Sequence, residues 1–143
     1  MSNSTFITYQ KATVNDLPQI LAILQKVKGD ASDISVSDFL IAKDGEKVVG
    51  CVRIKVLPEG VLKLASLGVL DAYREQGIGR NMLKKLLESD SRRPIYVICI
   101  PEREAFYGHN GFVRIEVADL PQILREHARG GDTILCMKCD GVV

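Results

Sequence analysis

Apolar side chains recur at helical spacing in two long segments of the chain. The first covers residues 17–27, behind Thr13 and Asp16 in capping-box positions and ahead of Gly29, and it predicts a helix with one buried face. The second starts at the glycines of the stretch YREQGIGRNMLKKLLE and predicts another amphipathic helix. Its apolar face consists of Ile78, Met82, Leu83, Leu86 and Leu87.

Runs of strand length surround these helices. FLIAKDGEKVVGCVRIKVL reads as two strands joined at Asp44 and Gly45, a strong hairpin signal, and GVLKLASLGVL continues the meander. PIYVICI is an unbroken apolar run, typical of a central strand covered on both faces. GFVRIEV and DTILCMKC predict later strands, DISVSDFL a short helix, and DLPQILREHARGG a capped helix ended by glycines. We therefore expect one α/β domain over residues 1–143.

Charge and hydropathy exclude several classes of partner. Nineteen basic and eighteen acidic residues leave a formal charge of +1, so no large positive field favours nucleic acid or an anionic membrane surface. No apolar run approaches the ~20 residues that a membrane span needs, and the N-terminus lacks an apolar signal region. The sequence predicts a cytoplasmic protein with a small-molecule partner, as a monomer or a homodimer.

The four cysteines are expected to be free thiols in apolar segments. Cys136 and Cys139 form a C-x-x-C, but TILCMKC has the pattern of a strand, in which positions three apart point to opposite faces. A structural zinc normally has four ligands, and two histidines add little. We predict no metal site.

The glycines at 77 and 79 stand where a strand is followed by a helix. Backbone N–H groups at a helix N-terminus lack intrahelical acceptors and carry partial positive charge, so this turn suits a phosphate. The absence of Cβ atoms lets a phosphate approach, and Arg74 and Arg80 flank the turn. Met82 stands where a dinucleotide fingerprint has a third small residue, and a P-loop lysine motif is lacking. An ordinary strand-to-helix turn is the alternative.

Two motifs show a family resemblance. Residues 74–79 have the form Q/R-x-x-G-x-G/A, which resembles the acyl-coenzyme A motif of the GNAT acetyltransferases, and EAFYGHNGF is similar to a second conserved segment of that family. The order of elements also matches over nearly the whole chain. The resemblance implies a single-domain GNAT-like α/β fold: a central mixed, mostly antiparallel sheet of six to seven strands flanked by about four helices, with strands four and five splayed.

The same resemblance implies acetyl-coenzyme A as the acetyl donor. Its pyrophosphate would lie on the glycine turn, and its acetyl and pantetheine parts would bind the backbone near a bulge in the fourth strand. The implied binding residues are Leu67, Gly68, Val69, Arg74, Gln76, Gly77, Ile78, Gly79 and Arg80.

Acetyl transfer requires an amine that attacks the thioester, a donor for the developing oxyanion and an acid for the leaving thiolate. The Val69 N–H is expected to polarise the carbonyl. Tyr107 matches the family's acid position, and a phenol with a pKa of ~10 is protonated at neutral pH; packing of the short helix is the alternative role for this ring. The fourth strand has no carboxylate, so the base stays open. The possibilities are Ser66 through a water, Glu59, Glu102, Cys99, His109, a water chain, or an acceptor that binds already neutral.

For the acceptor we predict a small amine that carries a carboxylate, such as an amino acid. Arg53 and Lys55 share one face of a strand by period-two spacing and Lys63 lies on the next, so three cations are expected near the acceptor. The alternative is that they are solvated charges on a half-exposed hairpin. Two other functions remain open: a protein or peptide acetyltransferase, and a non-catalytic module that binds acyl-coenzyme A and regulates a partner.

Overall fold

The computed structural model describes residues 6–126, 128 and 134–141. Within these residues the chain forms seven strands and four helices. In chain order they are β1 (Ile7–Lys11), α1 (Leu17–Val27), β2 (Phe39–Asp44), β3 (Lys47–Val56), β4 (Leu62–Val69), α2 (Ile78–Ser89), β5 (Ile95–Cys99), α3 (Glu104–Gly108), β6 (Val113–Ile115), α4 (Gln122–Arg125) and β7 (Leu135–Cys139).

The strands hydrogen-bond in the order β1-β2-β3-β4-β5-β7-β6. The pairs β1–β2, β2–β3, β5–β7 and β6–β7 are antiparallel, whereas β4 and β5 are parallel, with Lys63 opposite Tyr96. The prediction of a mixed, mostly antiparallel sheet of six to seven strands with about four helices is confirmed.

The chain clusters into two compact units. The first contains the described residues up to Ile54 together with Ala65–Ser89, and the second contains Lys55–Leu64 together with the described residues from Asp90 onward. The first unit therefore holds α1 and α2, and the second holds α3 and α4. Strands β3 and β4 each supply residues to both units.

Helix α1 begins and ends where its sequence signals predict. The Thr13 backbone N–H donates to Asp16 Oδ2 at 2.8 Å, a bond of the predicted capping box, which caps a 3-10 turn, Val14–Asp16, that leads directly into α1. Lys28 ends the helix in a left-handed conformation with φ of 57°, and the Gly29 N–H returns to the Leu24 carbonyl at 2.9 Å. The buried face packs into a core formed by Ile20, Ile23, Leu24, Phe39, Ile41, Val48 and Cys51.

The hairpin between β2 and β3 is confirmed, with its turn one residue later than predicted. Asp44 pairs with Lys47, so Gly45 and Glu46 are the two turn residues. Gly45 has φ of +62°, the conformation that a two-residue hairpin turn needs at its first position and that glycine adopts without strain.

Other elements are shorter or less buried than their sequences predict. DISVSDFL contains only a 3-10 turn, Val36–Asp38, because β2 already begins at Phe39. β5 alternates between buried and half-buried side chains, so the prediction of complete cover on both faces is wrong. The predicted helix in DLPQILREHARGG is confirmed only as the single turn α4, and the glycines expected to end it lie outside the described residues.

In the first unit, Gly68 of β4 lies directly against α1. A Cβ atom at this position would stand 3.0 Å from Ile23 Cγ2 and 3.0 Å from Val27 Cγ2, closer than ordinary contact. Both neighbours are β-branched side chains with few rotamers to retreat into. Glycine at 68 therefore sets how closely α1 packs on the strand.

We predict that Gly68→Ala lowers the free energy of unfolding by about 1–3 kcal/mol, because it overpacks this contact. Urea unfolding followed by circular dichroism measures the change. Gly108→Ala is the matched control, because a Cβ atom at this helical glycine meets nothing within 4 Å and the change is expected to be neutral or slightly stabilising. A Gly68→Ala protein as stable as the parent would show that α1 can shift freely.

The four cysteines are free, and Cys136 and Cys139 lie in β7 as expected. Among the described residues there is no group of three or more histidine, cysteine, aspartate or glutamate side chains able to hold a metal ion. In the same part of the chain, each helix is too short or too polar to cross a bilayer.

Candidate active site

A left-handed turn leads from β4 into α2. After the 3-10 turn Asp71–Tyr73, Glu75 and Gly77 adopt positive φ of 63° and 81°, and the helix begins at Ile78. The Asn81 N–H donates to the Gly77 carbonyl at 2.9 Å. The N–H groups of Ile78, Gly79 and Arg80 belong to the first helical turn, whose donors have no intrahelical acceptors. The strand-to-helix turn predicted from the glycines is present.

Two arginines accompany this turn. A Cβ atom built on Gly77 would lie 3.4 Å from Arg80 Nη2, so the Arg80 guanidinium lies over the glycine. Arg74 is half exposed, with its Nη1 3.6 Å from Asp71 Oδ1, and the Gln76 side-chain amide donates to the Ala72 carbonyl at 3.5 Å. Positive charge and helix N-terminal donors therefore occur together, which is an arrangement that suits an anion.

Tyr73 ties the start of this turn to the β2–β3 hairpin. Its hydroxyl donates to Asp44 Oδ2 at 2.6 Å, a hydrogen bond that raises the pKa of Tyr73. The Lys47 ammonium lies 5.6 Å from the centre of the same ring. Sequence reasoning used Asp44 only as a turn residue and missed Tyr73; an aromatic residue next to the glycine motif was the available signal.

The backbone of β4 is irregular at Ser66, which has left-handed backbone with φ of 61°. This residue directly precedes Leu67, Gly68 and Val69, near which the bulge is predicted. Leu67 and Val69 are half-buried and Gly68 is buried. A left-handed serine inside a strand is uncommon and needs contacts that hold it.

Ser66 has such contacts at its carbonyl oxygen and at its hydroxyl. Its carbonyl accepts the Cys51 thiol at 3.4 Å, and its hydroxyl accepts the Arg53 Nε–H at 2.9 Å while donating to the Asp30 carbonyl at 2.5 Å. Cys51 and Arg53 lie two apart on β3 and therefore share a face. Burial raises the pKa of the Cys51 thiol to about 12, which keeps it protonated and able to donate.

Arg53 is completely buried. Besides Ser66, its guanidinium donates to the carbonyls of Ser32 at 2.8 Å, Asp33 at 3.2 Å and Asp30 at 3.3 Å, and it lies 5.2 Å from the Phe39 ring centre. Burial lowers the pKa of Arg53, while the carboxylates of Asp30, Asp38 and Asp33 raise it. These partners belong to the chain itself, and a role for Arg53 in binding a substrate carboxylate stays a prediction.

Lys55 and Lys63 belong to the second unit. Lys55 is buried and Lys63 is half-buried. The alternative that the three cations are solvated charges is therefore wrong for Arg53 and Lys55.

Tyr107 lies in α3 and is 7% exposed. Its ring meets Phe106 and Phe112 edge to face, with centroids 5.1 and 5.7 Å away. Burial raises the pKa of Tyr107 to about 12, with a smaller contribution from Cys99. The ring thus has a packing role, and the phenol is a neutral proton donor throughout the physiological range.

No base can be assigned from the candidates within the described residues. Glu59, Glu102 and His109 are exposed. Burial raises the pKa of the half-buried Cys99 to about 11, so its thiolate is scarce at neutral pH. Ser66 has its hydroxyl engaged by Arg53 and Asp30.

The profile of the acetyltransferase (GNAT) domain matches residues 35–114, more than half of the chain. The protein belongs to the GNAT acetyltransferase family. An uncharacterised N-acetyltransferase from Chlorobaculum tepidum is 28% identical over 90 residues, which cover 61% of this chain and 57% of that protein.

Solved structures share the fold at low sequence identity. N-acetylglutamate synthase from Neisseria gonorrhoeae, complexed with coenzyme A and N-acetyl-glutamate, superposes with a TM-score of 0.77 at 17% identity, covering 97% of this chain and 36% of that chain. Diaminobutyrate acetyltransferase EctA from Paenibacillus lautus, in complex with its substrate L-2,4-diaminobutyric acid and coenzyme A, gives 0.69 at 15% identity and 98% of both chains. The chain spans about a third of the synthase and just over half of the Chlorobaculum relative.

Proposed function

We propose that the protein transfers an acetyl group from acetyl-coenzyme A to the amine of a small acceptor that carries a carboxylate, such as an amino acid. The observation that carries this proposal is the turn into α2, where first-turn N–H groups, left-handed Gly77 and the Arg80 guanidinium occur together. These features suit the pyrophosphate of coenzyme A. The family membership and the coenzyme A complexes of both structural neighbours support the same donor.

In this proposal the donor is held by two backbone segments. Arg74, Gln76, Gly77, Ile78, Gly79 and Arg80 bind the pyrophosphate, and Leu67, Gly68 and Val69 bind the acetyl and pantetheine parts. The Val69 N–H donates to the thioester carbonyl, where negative charge develops as the amine attacks. The C–S bond then breaks, the amine loses a proton and the sulfur gains one.

Tyr107 supplies the hydrogen bond to the leaving sulfur. A phenol with a pKa of about 12 does not readily give its proton completely to a thiolate whose thiol has a pKa of ~8.5. The hydroxyl therefore stabilises the developing thiolate by donating a hydrogen bond. The sulfur is protonated by the proton that the amine loses as the product forms. This mechanism does not require a carboxylate base on β4.

The carboxylate on the acceptor is the finer part of the proposal. Both structural neighbours named above are complexes with amino acids or an N-acetylated amino acid. In this chain we propose Lys55 and Lys63 as the cations that attract the carboxylate, because each projects from a strand of the second unit and neither is fully exposed.

The test is a free-thiol assay with acetyl-coenzyme A and a pool of acceptors. We expect turnover with amino acids and little turnover with their carboxyl-amidated forms. The KM for amino acids should rise about fivefold in Lys63→Met, which corresponds to the loss of an ion pair worth about 1 kcal/mol. Lys84→Met, which removes an exposed cation of α2, is the matched control.

Two results would count against the proposal. A preference for spermidine or for amidated acceptors would overturn the carboxylate. Absence of any acetyl transfer, with acetyl-coenzyme A bound, would instead favour a regulatory module that binds the donor without using it.

A further inference from the structure

Arg53 is the largest completely buried side chain in the described part of the molecule, and the proposed chemistry does not use it. Its hydrogen bonds go to the backbone of residues 30–33, in the loop between α1 and β2, and to the hydroxyl of Ser66. Ser66 is the left-handed residue of β4 and directly precedes the three residues proposed to bind the acetyl end of the donor. The guanidinium thus joins a loop to the irregular point of the strand.

We propose that Arg53 is a positioning residue that acts through Ser66 on the backbone of residues 67–69. This inference rests on the proposed function. The guanidinium holds the Ser66 hydroxyl from one side, the Asp30 carbonyl holds it from another, and Cys51 holds the Ser66 carbonyl. With side chain and carbonyl both fixed, the left-handed conformation is locked, and the direction of the following N–H groups is set before the donor binds.

The positioning role of Arg53 depends on the shape of its guanidinium and not only on its positive charge. Lysine at 53 would keep a cation but has one nitrogen, whereas the arginine reaches the Ser66 hydroxyl and three carbonyls from three nitrogens. Position 66 offers a sharper probe. Glycine accepts positive φ without strain, so Ser66→Gly removes the hydroxyl and leaves the backbone conformation available but no longer locked.

The experiment compares Ser66→Gly, Arg53→Lys and Arg53→Met with the parent. We expect kcat to fall by about 10²-fold in Ser66→Gly and Arg53→Met, the scale of a misplaced reacting group. The affinity for coenzyme A should fall by much less, because the pyrophosphate turn is unchanged. Arg53→Lys should recover only part of the rate. Amide hydrogen exchange at residues 67–69 should become at least about tenfold faster in the same variants as the strand opens locally.

Arg114→Met is the matched control, because it removes an exposed arginine whose partner Glu104 lies 3.8 Å away, and both readouts should stay unchanged. If Arg53→Met does not fold, the kcat and exchange rates of Ser66→Gly and Arg53→Lys test the inference. Folded variants with parental kcat would overturn the inference, as would a loss of coenzyme A affinity as large as the loss in kcat, which indicates general damage to the fold.

A third result would also overturn the inference that Arg53 acts through Ser66. In that result, Arg53→Met raises the KM for amino acids and not for their amides, and Ser66→Gly behaves as the parent. Arg53 would then bind the acceptor carboxylate. If the parent itself transfers no acetyl group, the proposed function fails separately. Exchange at residues 67–69 then decides whether Arg53 and Ser66 control that backbone.

Discussion

Replacing Gly79 by valine is expected to abolish binding of acetyl-coenzyme A, with a loss in affinity of at least about 100-fold, or roughly 3 kcal/mol. Gly79 is the second residue of α2, in the first turn, whose N–H groups precede the first N–H that donates within the helix, that of Asn81. A branched side chain there would keep a pyrophosphate away from those donors, and nothing else in the turn replaces them. Isothermal titration calorimetry of the folded variant measures the effect.

Lys84→Val is the control for Gly79→Val, because it introduces the same β-branched residue at an exposed position of the same helix. It should lower helix stability slightly and leave the affinity unchanged. Retention of parental affinity in Gly79→Val would mean that the pyrophosphate binds elsewhere and that the turn is an ordinary connection.

Tyr107→Phe is expected to lower kcat by ~10²–10³-fold, the range for losing one hydrogen-bond donor to developing negative charge, with little change in coenzyme A affinity. The ring keeps its edge-to-face contacts with Phe106 and Phe112, so the packing of α3 should survive. Because the pKa of Tyr107 is about 12, the phenol does not ionise below pH ~10, and the parent's rate should rise with pH as the acceptor amine loses its proton.

Single-turnover kinetics provides the measurement for Tyr107→Phe, since it isolates the chemical step from product release. Tyr9→Phe removes a phenol from β1 and serves as the control, with a parental rate expected. A rate in Tyr107→Phe within a few-fold of the parent's would leave Tyr107 as a packing residue.

Local signals predicted the parts of the fold that local interactions determine. The capping box at Thr13 and Asp16 and the stop at Gly29 bound α1 correctly, because each acts within a single helical turn. The five apolar positions predicted for α2 are its buried residues. The glycine turn also followed from sequence, since positive φ at Gly77 is what that residue type permits.

The same signals failed where residues far apart in the chain determine the local conformation and burial. Serine carries no preference that would place left-handed backbone at position 66; its conformation depends on Cys51, Arg53 and Asp30, which are 13 to 36 residues away in the chain. Period-two spacing predicted that Arg53 and Lys55 share a face of β3, but it could not reveal that residues 30–33 of the loop after α1 bind the Arg53 guanidinium. Contacts between residues so far apart in the chain cannot be predicted from local sequence patterns.

The division of the chain also bears on how the protein folds during synthesis. The first unit is discontinuous: the residues up to Ile54 are completed by Ala65–Ser89, with part of the second unit between them. Helix α1 therefore emerges from the ribosome long before Gly68, the strand residue against which Ile23 and Val27 pack. Until that strand arrives, the apolar face of α1 lacks this cover. No single proteolytic cut can release the first unit intact, so an N-terminal fragment ending at Ile54 should be a target for chaperones rather than a stable domain.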